Sequence, residues 1–179
     1  MKRTSAAIIF VAAVILTTDY YLFQSNLLAL AWHARHGFHV QFQGFEFRVP
    51  LFFERGQEEA FDELTLYSYR SPIHGRNAWV TVGFQPARPA AVLAPLSPDD
   101  AQRLGVSLIG QRRVRLADRQ GNCIEYQRDE LVLRDRGPSN GDLVWITCQF
   151  DNITANFDGT RNAAPEFYTI LESARRIQN

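Results

Sequence analysis

The sequence is almost without lysine. Lys2 is the only one among 19 basic residues, and the other 18 are arginines. Beyond residue 2 the chain therefore cannot form a lysine Schiff base. Nor can it supply the lysine of a phosphate-binding P-loop or of a Ser-x-x-Lys nucleophile pair. Met1 is the only methionine, and there are two cysteines, Cys123 and Cys148. Far apart and without Cys-x-x-Cys spacing, they do not make a zinc site. There is no excess of either charge, with 19 acidic residues against the 19 basic ones. A nucleic-acid binder needs a basic stripe to replace the counterions around phosphates, so that class is excluded. No Gly-x-Ser-x-Gly is present and no cysteine opens a helix, so the usual marks of nucleophilic catalysis are missing. No internal repeat, low-complexity tract or cofactor motif is visible, and no cofactor or resident metal is expected.

What is present begins with large apolar side chains, 13 Phe, 6 Tyr and 3 Trp, which suffice for a core. The length of 179 residues fits one domain with a tail. The tail is the N-terminus. Lys2 and Arg3 precede residues 6–16, which are apolar without a break. That is the basic start and apolar stretch of an export signal. Eleven apolar residues are short for a membrane span, but continuing through Thr17, Thr18, Tyr20, Tyr21, Leu22 and Phe23 reaches the required ~20. The small-x-small site at Ala29-Leu30-Ala31 lies too far downstream for ordinary signal cleavage. The expectation is an uncleaved signal anchor and stem over residues 1–32. Lys2 and Arg3 would set the topology, leaving the N-terminus in the cytoplasm and the bulk of the chain outside a cell (inner) membrane.

Residues 33–179 read as an exported α+β domain, with 17 arginines, no lysine and 18 acidic residues. Phe38, Val40 and Phe42 alternate with polar residues, and Phe45, Phe47 and Val49 repeat the pattern after Gly44. With Gln43-Gly44 as the turn, Phe42 faces Phe45, Val40 faces Phe47 and Phe38 faces Val49, all on one face. Residues 54–63 read as a charged loop or solvated turn. Strands are expected over 64–70 and 78–84, followed by a proline-rich loop over 85–98. Ser97-Pro98-Asp99-Asp100 is a helix start, and the helix should end near Gly105 or a turn later. Strands are then expected at 113–117, 123–128, 131–134 and 143–150, with turns at Gly121 and over 137–141. Val144, Ile146, Cys148 and Phe150 share a face. Ile153, Ala155 and Phe157 alternate up to a turn at Asp158-Gly159. A closing helix is expected over about 164–177, with Phe167, Ile170, Leu171, Ala174 and Ile177 as its stripe and Arg175 and Arg176 in its last turn.

This is an antiparallel sheet with a central and a C-terminal helix packed on it. The element order, with Cys148, the run from Ala155 to Gly159, and Glu166-Phe167-Tyr168 followed by Ile170-Leu171, resembles the PsbP-like α/β/α sandwich. The segment from Trp32 to Gly37, together with Val49-Pro50, resembles uncharacterised bacterial single-pass proteins. The resemblance implies a fold and the role of a non-enzymatic assembly or binding module, and brings no catalytic residue.

Particular residues carry further expectations. In an exported domain Cys123 and Cys148 could pair. Cys148 lies on its strand's apolar face, whereas Cys123 shares a face with Glu125 and Gln127, so the pair and two free thiols both stay open. His33, His36 and His39 are spaced by three, but Gly37 breaks any helix through them, so a surface or stem role is expected. Glu58, Glu59, Asp62 and Glu63 read as a solvated face rather than a Ca²⁺ site. Arg112, Arg113 and Arg115 read as the outer face and approach of a strand, with contact to an anionic headgroup or polymer as the alternative. Trp79 and Trp145 lie opposite their strands' apolar residues and are the expected interaction surface. The expected function is a membrane-anchored extracytoplasmic binding or assembly module. Its partners would be the lipid bilayer, through the N-terminal helix, and a protein at the membrane. The alternative is an exported hydrolase with a carboxylate or histidine site.

Overall fold

The computed structural model describes residues 2–18, 26–56, 63–69, 76–84, 93–128 and 143–177. The strands expected at 131–134, the turn over 137–141, His74 and most of the acidic group at 58–63 lie outside them. Helix α1 (Lys2–Thr18) contains the apolar stretch, and α2 (Asn26–His36) leads into the domain. Among the described residues no helix is long and apolar enough to cross a membrane. The residues through which the span would continue, 19–25, lie outside the described set.

The hairpin forms as the alternation requires. Strands β1 (His39–Phe42) and β2 (Phe45–Arg48) pair antiparallel, with Phe42 opposite Phe45 and Val40 opposite Phe47. Gln43 and Gly44 have φ of 49° and 77°, the positive pair that a two-residue turn matching the strand twist demands. Phe47 and Val49 are fully buried, but Phe38, outside the strand, is 46% exposed and leaves the shared face.

The rest of the domain is a seven-stranded antiparallel sheet in the order β3-β4-β5-β9-β8-β7-β6. Its strands are β3 (Phe53–Arg55), β4 (Glu63–Tyr69), β5 (Arg76–Phe84), β6 (Val106–Leu116), β7 (Arg119–Arg128), β8 (Leu143–Phe150) and β9 (Ile153–Thr160). Helix α3 (Pro98–Leu104) starts as its residues dictate. The Ser97 hydroxyl accepts from the Asp100 amide at 3.2 Å, and Gly105, at φ 60°, ends the helix in the left-handed conformation. Helix α4 (Ala164–Glu172) packs on β2, β6 and β9. One face of the large sheet, the small sheet and α4 together enclose the main core. It contains Leu66, Val82, Ile146, Phe150, Phe157, Phe167 and Leu171. Full burial of each such side chain contributes about 1.5–3 kcal/mol. A smaller cluster on the opposite face joins Val106, Ile124 and Tyr126 to Leu93, Leu96 and Ala101, beside α3.

Five expectations are corrected. Glu54 and Arg55, the start of the expected loop, belong instead to strand β3, because the backbone of Phe53–Arg55 pairs with Leu66–Ser68 of β4. β6 begins at Val106, seven residues before the expected start; as an edge strand with a bulge between Leu108 and Gly110, it lacks alternating burial. Gly121 is no turn but lies buried within β7, and the chain reverses instead at Ala117-Asp118, where Ala117 has φ 54°. β9 continues through Asp158 and Gly159, paired on both sides, to Thr160, paired with Leu143 of β8. The closing helix also stops at Glu172. Arg175 and Arg176 form a short strand, β10, opposite Glu46 and Phe45, because the free edge of β2 captures the chain. β1, β2 and β10 thus make a separate three-stranded sheet.

Candidate functional site

Cys123 and Cys148 stand directly opposite one another on β7 and β8, with Cα atoms 4.0 Å apart, and their sulfurs are bonded. The face shared by Cys123, Glu125 and Gln127 turns out to be the α4 side, so both cysteines are fully buried. Ile124 and Tyr126 on the other face are buried too, beneath α3 and the 93–97 segment, so β7 is covered on both sides. Disulfides persist in oxidising compartments and are rare in the cytosol, which points to an extracytoplasmic domain.

Two residues beyond Cys123, Glu125 meets α4. The buried Tyr168 hydroxyl donates to Glu125 Oε1 at 2.5 Å, and the Arg112 guanidinium lies 3.8 Å from the centre of the Tyr168 ring. Burial, then the hydrogen bond to the Glu125 carboxylate and its charge, push the phenol far above its ordinary range; Arg112 opposes this. The phenol therefore stays protonated, and the group is a helix–sheet clamp rather than an acid–base pair working near pH 7. Replacing Tyr168 with Phe should cost about 1–2 kcal/mol in urea unfolding. The sign of the pH effect follows from the raised value. The phenol's stabilising contribution is complete below its ordinary pKa of 10.0 and is lost as pH rises through the higher folded value. Alkaline denaturation should thus begin above about pH 10 in the wild type, and Tyr168→Phe should flatten that limb.

The opposite face brings the two tryptophans together. Cross-strand register places Tyr67, Trp79, Asp158, Trp145 and Tyr126 in one row across β4, β5, β9, β8 and β7. Tyr67 lies 5.8 Å from Trp79 and Tyr126 5.3 Å from Trp145, ring centre to ring centre. Arg128 bonds Asp158 at 2.9 Å between them. Trp79 and Trp145 are half-buried, and Trp145 packs against the smaller core. Among the described residues of the domain, the exposed large apolar side chains are others: Phe38, Leu51 and Phe52, and Leu104, Leu108 and Ile109.

A cleft of about 570 Å³ opens where the small sheet meets β6 and the end of α4. Phe38 enters from the turn before β1, His39 from β1, Glu46 and Arg48 from β2, Arg115 from β6, and Arg175 from β10. Glu172, Ser173 and Ala174 close one side. The corner is held by Ser173, whose hydroxyl accepts from the Arg48 amide at 3.0 Å and donates to the Ile170 carbonyl at 2.7 Å. Glu54 and Glu166, whose pKa values burial raises, do not line it. The sequence singled out Arg115 but hid the cleft, because Arg175 read as part of a helix.

Among the described residues, no group of three or more His, Cys, Asp and Glu is placed to hold a metal ion. His33 is buried, with Nδ1 2.8 Å from the Gly37 carbonyl and Nε2 3.0 Å from the Pro50 carbonyl, so it ties α2 to the domain. His36 turns back to the Trp32 carbonyl at 3.0 Å. His39 lies beyond the helix, on β1.

No protein-family model and no curated protein matches the sequence. Among solved structures, the chain is similar to cyanobacterial PsbP (CyanoP) from Synechocystis sp. PCC 6803, at 11% identity and TM-score 0.44. That similarity covers 78% of this chain and 91% of the other. A protein from Bacteroides thetaiotaomicron VPI-5482 is similar at 10% identity and TM-score 0.32, over 76% of this chain and 46% of that one, so this chain spans under half of its length. The element order resembled the PsbP-like sandwich, and cyanobacterial PsbP is among the solved structures to which the chain is similar. The likeness is one of fold and transfers no residue's role.

Proposed function

We propose that this protein is a membrane-anchored binding module, with α1 in the bilayer, Lys2 and Arg3 on the cytoplasmic side and the disulfide-bonded domain outside. The observation that carries the reading is the surface of α1. Ile8, Ile9, Phe10, Val11, Val14, Ile15 and Leu16 are all 48–69% exposed, on every side of the helix. A helix apolar all round is stable only when covered, and a single span in lipid covers it completely. Its 17 residues rise about 26 Å, against a hydrocarbon thickness of about 30 Å. The aromatic run Tyr20, Tyr21 and Phe23 supplies residues favoured at the far interface. Near the end of α1 the Thr17 hydroxyl donates to the Ala13 carbonyl at 2.7 Å, which satisfies it inside the helix.

The full chain should therefore stay in the membrane pellet after an alkaline carbonate wash. Val11→Arg with Val14→Arg should release it, since each arginine near a span's centre costs about 2.5–3.5 kcal/mol. Wild-type protein in the wash would refute the anchor. The outer domain's role as a binding module is supported by the open cleft between the small sheet, β6 and the end of α4.

A further inference from the structure

The cleft between β2, β6 and β10 gathers three arginines from three strands distant in sequence. On the solvent face of the small sheet, register puts Arg175 opposite Glu46 and His39 opposite Arg48. Arg115 reaches the same cleft from the large sheet. Elsewhere, Arg103, Arg119, Arg128 and Arg176 each come within 4 Å of an aspartate. Arg176 is instructive, because it follows Arg175 directly yet turns away to Asp118 at 2.9 Å. Among the described residues no ion pair engages Arg48, Arg115 or Arg175. Two carboxylates, Glu46 and Glu172, share the lining, so three guanidinium charges outnumber two negative ones.

We propose that this cleft is a phosphate-binding site. Three guanidinium groups that line one cleft and enter no ion pair among the described residues present forked donors that match phosphate oxygens. The hydrogen-bonded Ser173 corner and the strand pairing of Arg175 hold the backbones of Arg48 and Arg175 in place at the cleft. Phosphate could come from a lipid headgroup or from solution. The site's position makes both accessible: exposed Phe38 lines it, and only Gly37 and Phe38 separate it from the end of α2. The inference names a ligand class for the binding module proposed above, and it does not depend on the anchor.

The test uses the full chain in neutral detergent, titrated by calorimetry with inorganic phosphate, dihexanoyl-phosphatidylglycerol and dihexanoyl-phosphatidylcholine. The wild type should bind at least one of the first two more tightly than phosphatidylcholine. Binding of phosphatidylglycerol alone assigns a lipid headgroup, whereas binding of inorganic phosphate assigns a free phosphate. Arg48→Gln and Arg175→Gln should each weaken that binding by about tenfold, and Glu46→Gln should tighten it by removing a like charge. Arg103→Gln, on α3, should leave it unchanged. Melting curves of the variants should overlay the wild type, because Arg48 and Arg175 are exposed. Absence of binding to both anions, or equal binding by all variants, would overturn the site. Carbonate extraction decides the anchor separately, so either reading can fall while the other stands.

Discussion

Removing the disulfide, by Cys123→Ala with Cys148→Ala or by reductant, should lower stability by about 3–4 kcal/mol, the chain-entropy value for a loop of this length. The bond spans 25 residues. Without the bond, the unfolded chain between the two cysteines is no longer closed into a loop and gains conformational freedom. The native sheet loses little when the bond is cut, because Cys123 and Cys148 remain neighbours in the register and a small apolar residue suits their buried face. The melting temperature should fall by about 10 °C. Reductant should shift the wild type and leave the double variant where it is. Equal melting of the wild type with and without reductant would show that the sulfurs are not bonded in solution. The domain would then lose its main mark of an oxidising compartment.

Gly121→Ala should be as damaging for a different reason. A Cβ at this position of β7 would meet the Phe150 ring and lie 2.5 Å from the Gln149 carbonyl oxygen. Neither neighbour is the loose end of a flexible side chain. Phe150 is a fully buried part of the core, and the carbonyl belongs to the paired backbone of β8. Overpacking of this kind costs about 3 kcal/mol at the upper end of its usual range. The larger Val should prevent folding. Phe150→Leu should recover part of the loss in the Gly121→Ala background, so that the two changes are less than additive in urea titrations. Full additivity would mean that the ring is not what the methyl group meets.

Gly121 also shows where sequence reading reached its limit. A glycine between polar residues looks like a turn, and only the approach of Phe150 from the neighbouring strand reveals a packing role. β8 was legible because one face meets the core and the other does not, so the alternation of Val144, Ile146, Cys148 and Phe150 is complete. The hairpin and the start of α3 were legible because their signals are local: a Gln-Gly turn, and a Ser-Pro-Asp-Asp cap. β6 was not, because an edge strand bearing Gln111, Arg112, Arg113 and Arg115 has no continuous buried face to write a period into its sequence. β10 was hidden because Arg175 and Arg176 are good residues for a helix end, and the open edge of β2 that captures them lies more than a hundred residues earlier. That misreading concealed the arginine cleft. The parity of Cys123 was read correctly, but not that the face it shares with Glu125 is the one α4 covers. The row that joins Trp79 to Trp145 needed the pairing of β5 with β9, a contact between strands distant in sequence.

The anchored topology is tested most directly by adding protease to sealed spheroplasts of a bacterial host producing the full chain. The domain should be digested from outside, leaving a short N-terminal fragment in the membrane that ends before β1. A chain that remains intact until the spheroplasts are broken open would contradict the account.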